Sequence, residues 1–154
     1  MFQLLLTIHI ITGTVCLITG LIAMLSKKKK GKHTRSGEIY HWSYVIVFVT
    51  AVVMSIIYWE KSAYLFYIAL FSYSFALMGY LAVKKKWKNW LGSHIGGMLG
   101  SYIGIVTATI VVNIPRIPLL NQLPIIIFWL LPTIIGVPLI TRVGKRYASK
   151  TGLT

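Results

Sequence analysis

Five long apolar runs alternate with short polar segments along this chain. They cover residues 2–25, 37–59, 63–83, 91–113 and 123–140. At 1.5 Å per residue, helices over these runs would be roughly 27–36 Å long, enough to cross a ~30 Å hydrocarbon core. The pattern predicts an all-α integral membrane bundle of five transmembrane helices, a single domain over residues 1–154. The fourth run has no charged residue, and Gly92, Gly96, Gly100, Gly104 and Ala108 recur in it every four positions. Such a small-residue ladder lets a neighbouring backbone approach closely, which puts this helix in the middle of the bundle. In the first run His9, Gly13, Cys16 and Gly20 share one small, polar face, which should look inward. In the second, Ser36 reads as an N-cap with Glu38 near the positive helix end, and His41, Tyr44 and Phe48 share a face. The third is rich in aromatics and reads as packing. Pro115, Pro118 and Pro124 interrupt the chain before the fifth run, where Pro132, Gly136 and Pro138 predict a kink.

Composition agrees with a membrane protein: 56% of the residues are hydrophobic and only 12% charged, about half the ~25% usual for a soluble domain. The net charge of +14 does not point to nucleic acid, because fourteen of the sixteen Lys and Arg fall in three clusters, at residues 27–35, 84–88 and 142–150. Each cluster flanks an apolar run, the arrangement of the positive-inside rule. It puts the amino terminus outside and the carboxyl terminus in the cytoplasm, in a multi-pass protein of a bacterial plasma membrane. The clusters would also attract anionic lipid headgroups. Cys16 is the only cysteine, which leaves no intrachain disulfide and no thiolate metal site.

Depth selects the candidate chemistry. His41 and His94 each lie about one turn inside the cytoplasmic boundary, Glu38 is one turn before His41, and His33 is in the adjoining loop. Two histidines at matching depth would ligate a b-type haem axially, His94 with His41 or His33. Glu38, His41 and His94 would instead ligate a divalent metal such as zinc, with one position open for water. Against these stand plainer readings: His41 and His94 hydrogen-bonded to carbonyls, Glu38 as a helix-start residue, His33 solvated among lysines. His9 lies about 10 Å inside the other boundary, with Asn113 and Arg116 as polar candidates, and one hydroxyl or carbonyl would satisfy it.

His9 with Gly13 and Gly20, the loop segment His33-Thr34-Arg35-Ser36-Gly37 with Tyr40, and His94 with Met98, Ser101 and Tyr102 form a further pattern. It resembles a family of bacterial multi-pass predicted membrane proteins classed as a domain of unknown function. The resemblance marks His9, His33, Arg35, Gly37 and His94 as the positions to watch, and implies no activity. His41 is not clearly part of that pattern.

Three functions follow. The first is a cofactor-binding protein holding one haem near the cytoplasmic face and acting in redox or electron transfer. The second is a metal-dependent membrane hydrolase acting on a lipid. The third is a non-catalytic accessory or binding subunit, self-associating or paired with another membrane protein. The topology is directly testable: with S62C and S149C made one at a time, a membrane-impermeant thiol reagent should label S62C in intact cells and S149C only after permeabilisation. Labelling of S149C from outside would reverse the orientation.

Overall fold

A computed structural model describes residues 1–151, with side chains placed through residue 147. Lys150, the last basic residue of the tail cluster, has its side chain outside the described residues. Among the described residues there are five α-helices, each long and apolar enough to cross a bilayer, and no strand. They are α1 (Phe2–Leu25), α2 (Lys32–Ile57), α3 (Trp59–Lys84), α4 (Trp90–Asn113) and α5 (Ile125–Thr151). Two 3₁₀ turns, Ile114–Arg116 and Leu120–Gln122, fill the proline-rich connection before α5. The chain divides within α3 into two compact units, one of Met1–Tyr73 and one beginning at Ser74.

The first unit is built on the antiparallel pair α1 and α2. The inward face expected of α1 is the face that meets α2: Cys16, Gly20 and Ala23 are buried, and a Cβ on Gly13 would touch Val47 at 3.9 Å. Cys16 Sγ lies 3.6 Å from the Tyr40 carbonyl, and Phe2 packs edge-on against Tyr58 where the pair ends. Charged residues close α1 from outside. The Ser26 hydroxyl donates to the Ile22 carbonyl at 2.6 Å, and the Lys28 ammonium donates to the Ala23 and Met24 carbonyls at 2.8 and 2.6 Å. A cation there offsets the negative end of the helix.

α2 begins five residues earlier than its apolar run suggests. Gly31 has φ +119°, a conformation that side-chain-bearing residues rarely adopt, and the chain reverses there. Residues 32–36 then wind as helix, so Ser36 is buried inside α2 and Glu38 lies beyond its first turn. Neither Ser36 capping nor a Glu38 helix-start role survives. Likewise the residues expected to turn before α3 are helical from Trp59 onward, and Glu60 occupies the first turn. Tyr73 of α3 packs against α2: it stacks on Phe48 at 4.5 Å and lies 6.3 Å from His41 and 6.1 Å from Tyr44. Not all of the aromatic helix packs inward, since Tyr64, Tyr67 and Phe71 are exposed on the protein.

In the second unit α4 touches both the end of α3 and α5. α3 closes with the Trp87 amide bonded to the Ala82 carbonyl across Lys86, which stands at φ 49° where glycine is usual. A Cβ on Gly97 would lie 2.6 Å from the Gly79 nitrogen and from the Phe75 carbonyl oxygen. On the other side, a Cβ on Gly136 of α5 would strike the Ile103 side chain. The buried stripe of α4 contains Gly97, Ser101 and Ile105, so it runs one residue beside the glycine ladder. Gly96 has open space where a Cβ would stand. Beyond the stripe, Val111, Ile114 and Phe128 form a small apolar core with Ile110 and Trp129.

G97A should therefore lower stability by about 1–3 kcal/mol, the usual cost of overpacking a tight site. G96A should be neutral or slightly stabilising, since alanine gains roughly 0.5–1 kcal/mol over glycine within a helix. Unfolding midpoints in detergent would show the difference. Equal midpoints for G97A and the unmodified protein would mean the α3–α4 crossing is looser than described.

Candidate functional site

Each unit brings candidate histidines against a neighbouring helix. In the first, His9 Nδ1 of α1 lies 2.8 Å from Thr50 Oγ1 of α2. The Thr50 hydroxyl has one proton, and its oxygen lies 2.7 Å from the Ile46 carbonyl and 3.0 Å from that of Val47. Those carbonyls only accept, so the hydroxyl donates to them and His9 Nδ1–H donates to Thr50. Asn113 and Arg116, the polar candidates suggested by sequence, lie in the second unit and contact each other at 3.5 Å.

His33 makes the reciprocal contact at the other end of the pair. Its Nδ1 donates to the Ala23 carbonyl at 2.9 Å, from α2 back to α1. The ring is half-buried rather than solvated among the lysines. His9 and Ala23 are fourteen residues apart on α1, about 21 Å along the helix axis. The two histidines thus bracket the helix pair. Arg35 and Gly37, between them and the buried core of α2, are exposed and half-buried respectively, and the Arg35 amide closes the first turn onto the Gly31 carbonyl at 2.9 Å.

His41 is only 3% exposed. Its ring lies parallel to Tyr73, at an interplanar angle of 27°, and edge-on to Trp42 at 5.6 Å. It thus sits in an aromatic setting formed within the first unit.

In the second unit His94 Nδ1 donates to the Gly79 carbonyl at 3.0 Å. This contact depends on the glycine crossing, because Gly79 and Gly97 let α3 and α4 approach. The residues that mark the motif surround it: a Cβ on Gly79 would lie 2.7 Å from the Met98 nitrogen, and the fully buried Ser101 donates to the Met98 carbonyl at 2.9 Å. Tyr102, next in the motif, is half-buried.

A carbonyl or a committed hydroxyl at Nδ1 has a chemical consequence. In the neutral ring the proton stays on Nδ1, and Nε2 is the lone-pair nitrogen, the tautomer that metal-ligating histidines use. The same bond serves packing equally well. Among the described residues no three His, Cys, Asp or Glu side chains gather so as to hold a metal ion.

Sequence alone did not point to Thr50 as a partner, though a signal was there: it lies about as far beyond the turn at residues 27–31 as His9 lies before it, to within one residue. A double-mutant cycle with H9A and T50V should return a coupling of ~0.6 kcal/mol and at most ~1.7 kcal/mol, the range for interhelical hydrogen bonds in membranes. A coupling of zero in detergent unfolding would remove the tie.

No curated protein and no solved structure matches the chain. The family described as predicted membrane protein (DUF2306) does: its model matches residues 6–141, and the chain belongs to that family.

Proposed function

We propose that this protein is a non-catalytic membrane component, an accessory or binding subunit whose histidines hold its helices in register. One observation carries the reading. His9, His33 and His94 each join Nδ1 to a partner on the adjacent helix of their own unit. Such bonds suit residues that fix helix pairs in lipid, where apolar surface alone gives two helices little reason to associate. The basic clusters support an orientation with the amino terminus outside, and the short α1–α2 and α3–α4 connections in the cytoplasm.

A second reading has one observation in its favour. The Nδ1–H bonds of His94 and His33 to carbonyls leave Nε2 as the lone-pair nitrogen, as a haem ligand requires. One b-type haem would then sit between His94 and either His41 or His33, and the protein would act in electron transfer. The metal-dependent lipid hydrolase draws no comparable support from these bonds.

Single alanine substitutions at His9, His33, His41 and His94 separate the two readings. Under the first, H9A, H33A and H94A each lower the unfolding midpoint, and the purified protein shows no haem absorbance even after incubation with haem. A Soret band lost together in H94A and in H41A or H33A, yet kept in H9A, would replace it with the second.

A further inference from the structure

The first inner connection holds five lysines in six positions, Lys27 to Lys30 and Lys32, with Gly31 between them. They do not all do the same thing. Lys28 turns back to cap α1, bonded to the Ala23 and Met24 carbonyls, and partial burial pushes its ammonium below the usual lysine value. The other four surround an open recess of about 350 Å³, lined by Lys27, Lys29, Lys30 and Lys32 together with Ser26, Ile22 and Leu25. That volume is in the range of small-ligand sites.

Two features of the recess define what fits it. Its charged groups are all cationic, with the neutral Ser26 beside them: the chain has only two carboxylate side chains, Glu38 and Glu60, and neither lines it. The balancing anion must come from elsewhere. Its other wall is apolar and belongs to the last turns of α1, with Leu25 79% exposed at the end of a helix long enough to span a bilayer. A free anion has no use for that wall.

We infer that the recess between the end of α1 and the start of α2 binds the phosphate of an anionic phospholipid, headgroup against Lys27, Lys29, Lys30 and Lys32 and acyl chain along Ile22 and Leu25. The positive φ of Gly31 shapes the site, folding Lys32 back toward Lys27 so that one phosphate meets lysines from both sides of the turn. The inference concerns a different part of the molecule from the histidines, and it holds whether or not they carry a cofactor.

Native mass spectrometry of the full chain, purified in detergent and mixed with equimolar phosphatidylglycerol and phosphatidylcholine, tests it. The unmodified protein should retain phosphatidylglycerol with roughly tenfold preference. K27Q/K29Q/K32Q should bring the ratio close to one. K85Q/K86Q/K88Q removes the same number of charges from the other inner connection and should leave the preference intact. Equal loss in both triple variants would reduce the effect to general charge and overturn the site. Inorganic phosphate at millimolar concentration should not displace the lipid. Full displacement by phosphate alone would mean that the recess takes a free phosphate and that the lipid assignment is wrong. Circular dichroism on both variants confirms that they remain helical, and K30Q, a single change at the rim, gives a partial loss if a triple variant unfolds.

Discussion

Two helices in lipid gain little by hiding apolar surface from one another, since the surrounding acyl chains are as apolar as leucine. They stay paired through close backbone approach and through hydrogen bonds that the lipid cannot replace. This chain uses both devices at the same places. At the α3–α4 crossing, Gly79 and Gly97 bring the backbones together, and His94 closes the approach with a bond to the Gly79 carbonyl. Along α1 and α2 the small residues lie in the middle, at Gly13, Cys16 and Gly20, while His9 and His33 bond across at the ends. A slide of one helix past the other by a single turn, about 5.4 Å, would break both histidine bonds at once. The pair therefore fixes register as well as proximity.

Charge sets where these helices stop. No lysine enters the apolar length of α1, and the loop after it is almost entirely lysine. Repulsion within such a loop would splay it. Three local features hold it compact: Lys28 is drawn onto the carbonyl end of α1, Gly31 takes a φ that reverses the chain, and His33 returns to Ala23. The Ala23 carbonyl receives both Lys28 and His33, so the end of one helix and the start of the next share an acceptor. That shared acceptor explains why α2 begins among charged residues rather than at the apolar boundary.

The spans were legible because length and hydrophobicity decide them; α1 matches its apolar run and α4 begins one residue early. The start of α2 was not, because the cause lies in one glycine dihedral and in a bond from His33 to a residue ten positions back. The glycine ladder located the close approach only in part, for a geometric reason. Four residues advance a helix by about 400°, so each step of the ladder drifts about 40° around the axis. Gly92 and Ala108 consequently point to nearly opposite sides; within the ladder Gly100 lies against Phe75, while the tightest approach falls on Gly97, outside it. The inward face of α1 succeeded because its spacing mixes steps of four and three, which holds one direction.

Histidine placement was legible, histidine role less so, and the reason is chemical. An Nδ1–H bond to a carbonyl is what a packing histidine makes and also what a ligand histidine makes, so that bond alone assigns neither. What separates the two roles is whether a second nitrogen can reach the same ion. His9 and His33 bond at opposite ends of one helix pair, about 21 Å apart, and cannot share a metal. His41 has its ring against Tyr73 and Trp42. Shared ligation thus needs a partner from the same membrane depth as His94, whereas at His9, His33 and His94 the packing role is already met by a bond within each one's own helix pair. The reading that needs nothing beyond the bonds observed is the one in which these residues hold the helices in place.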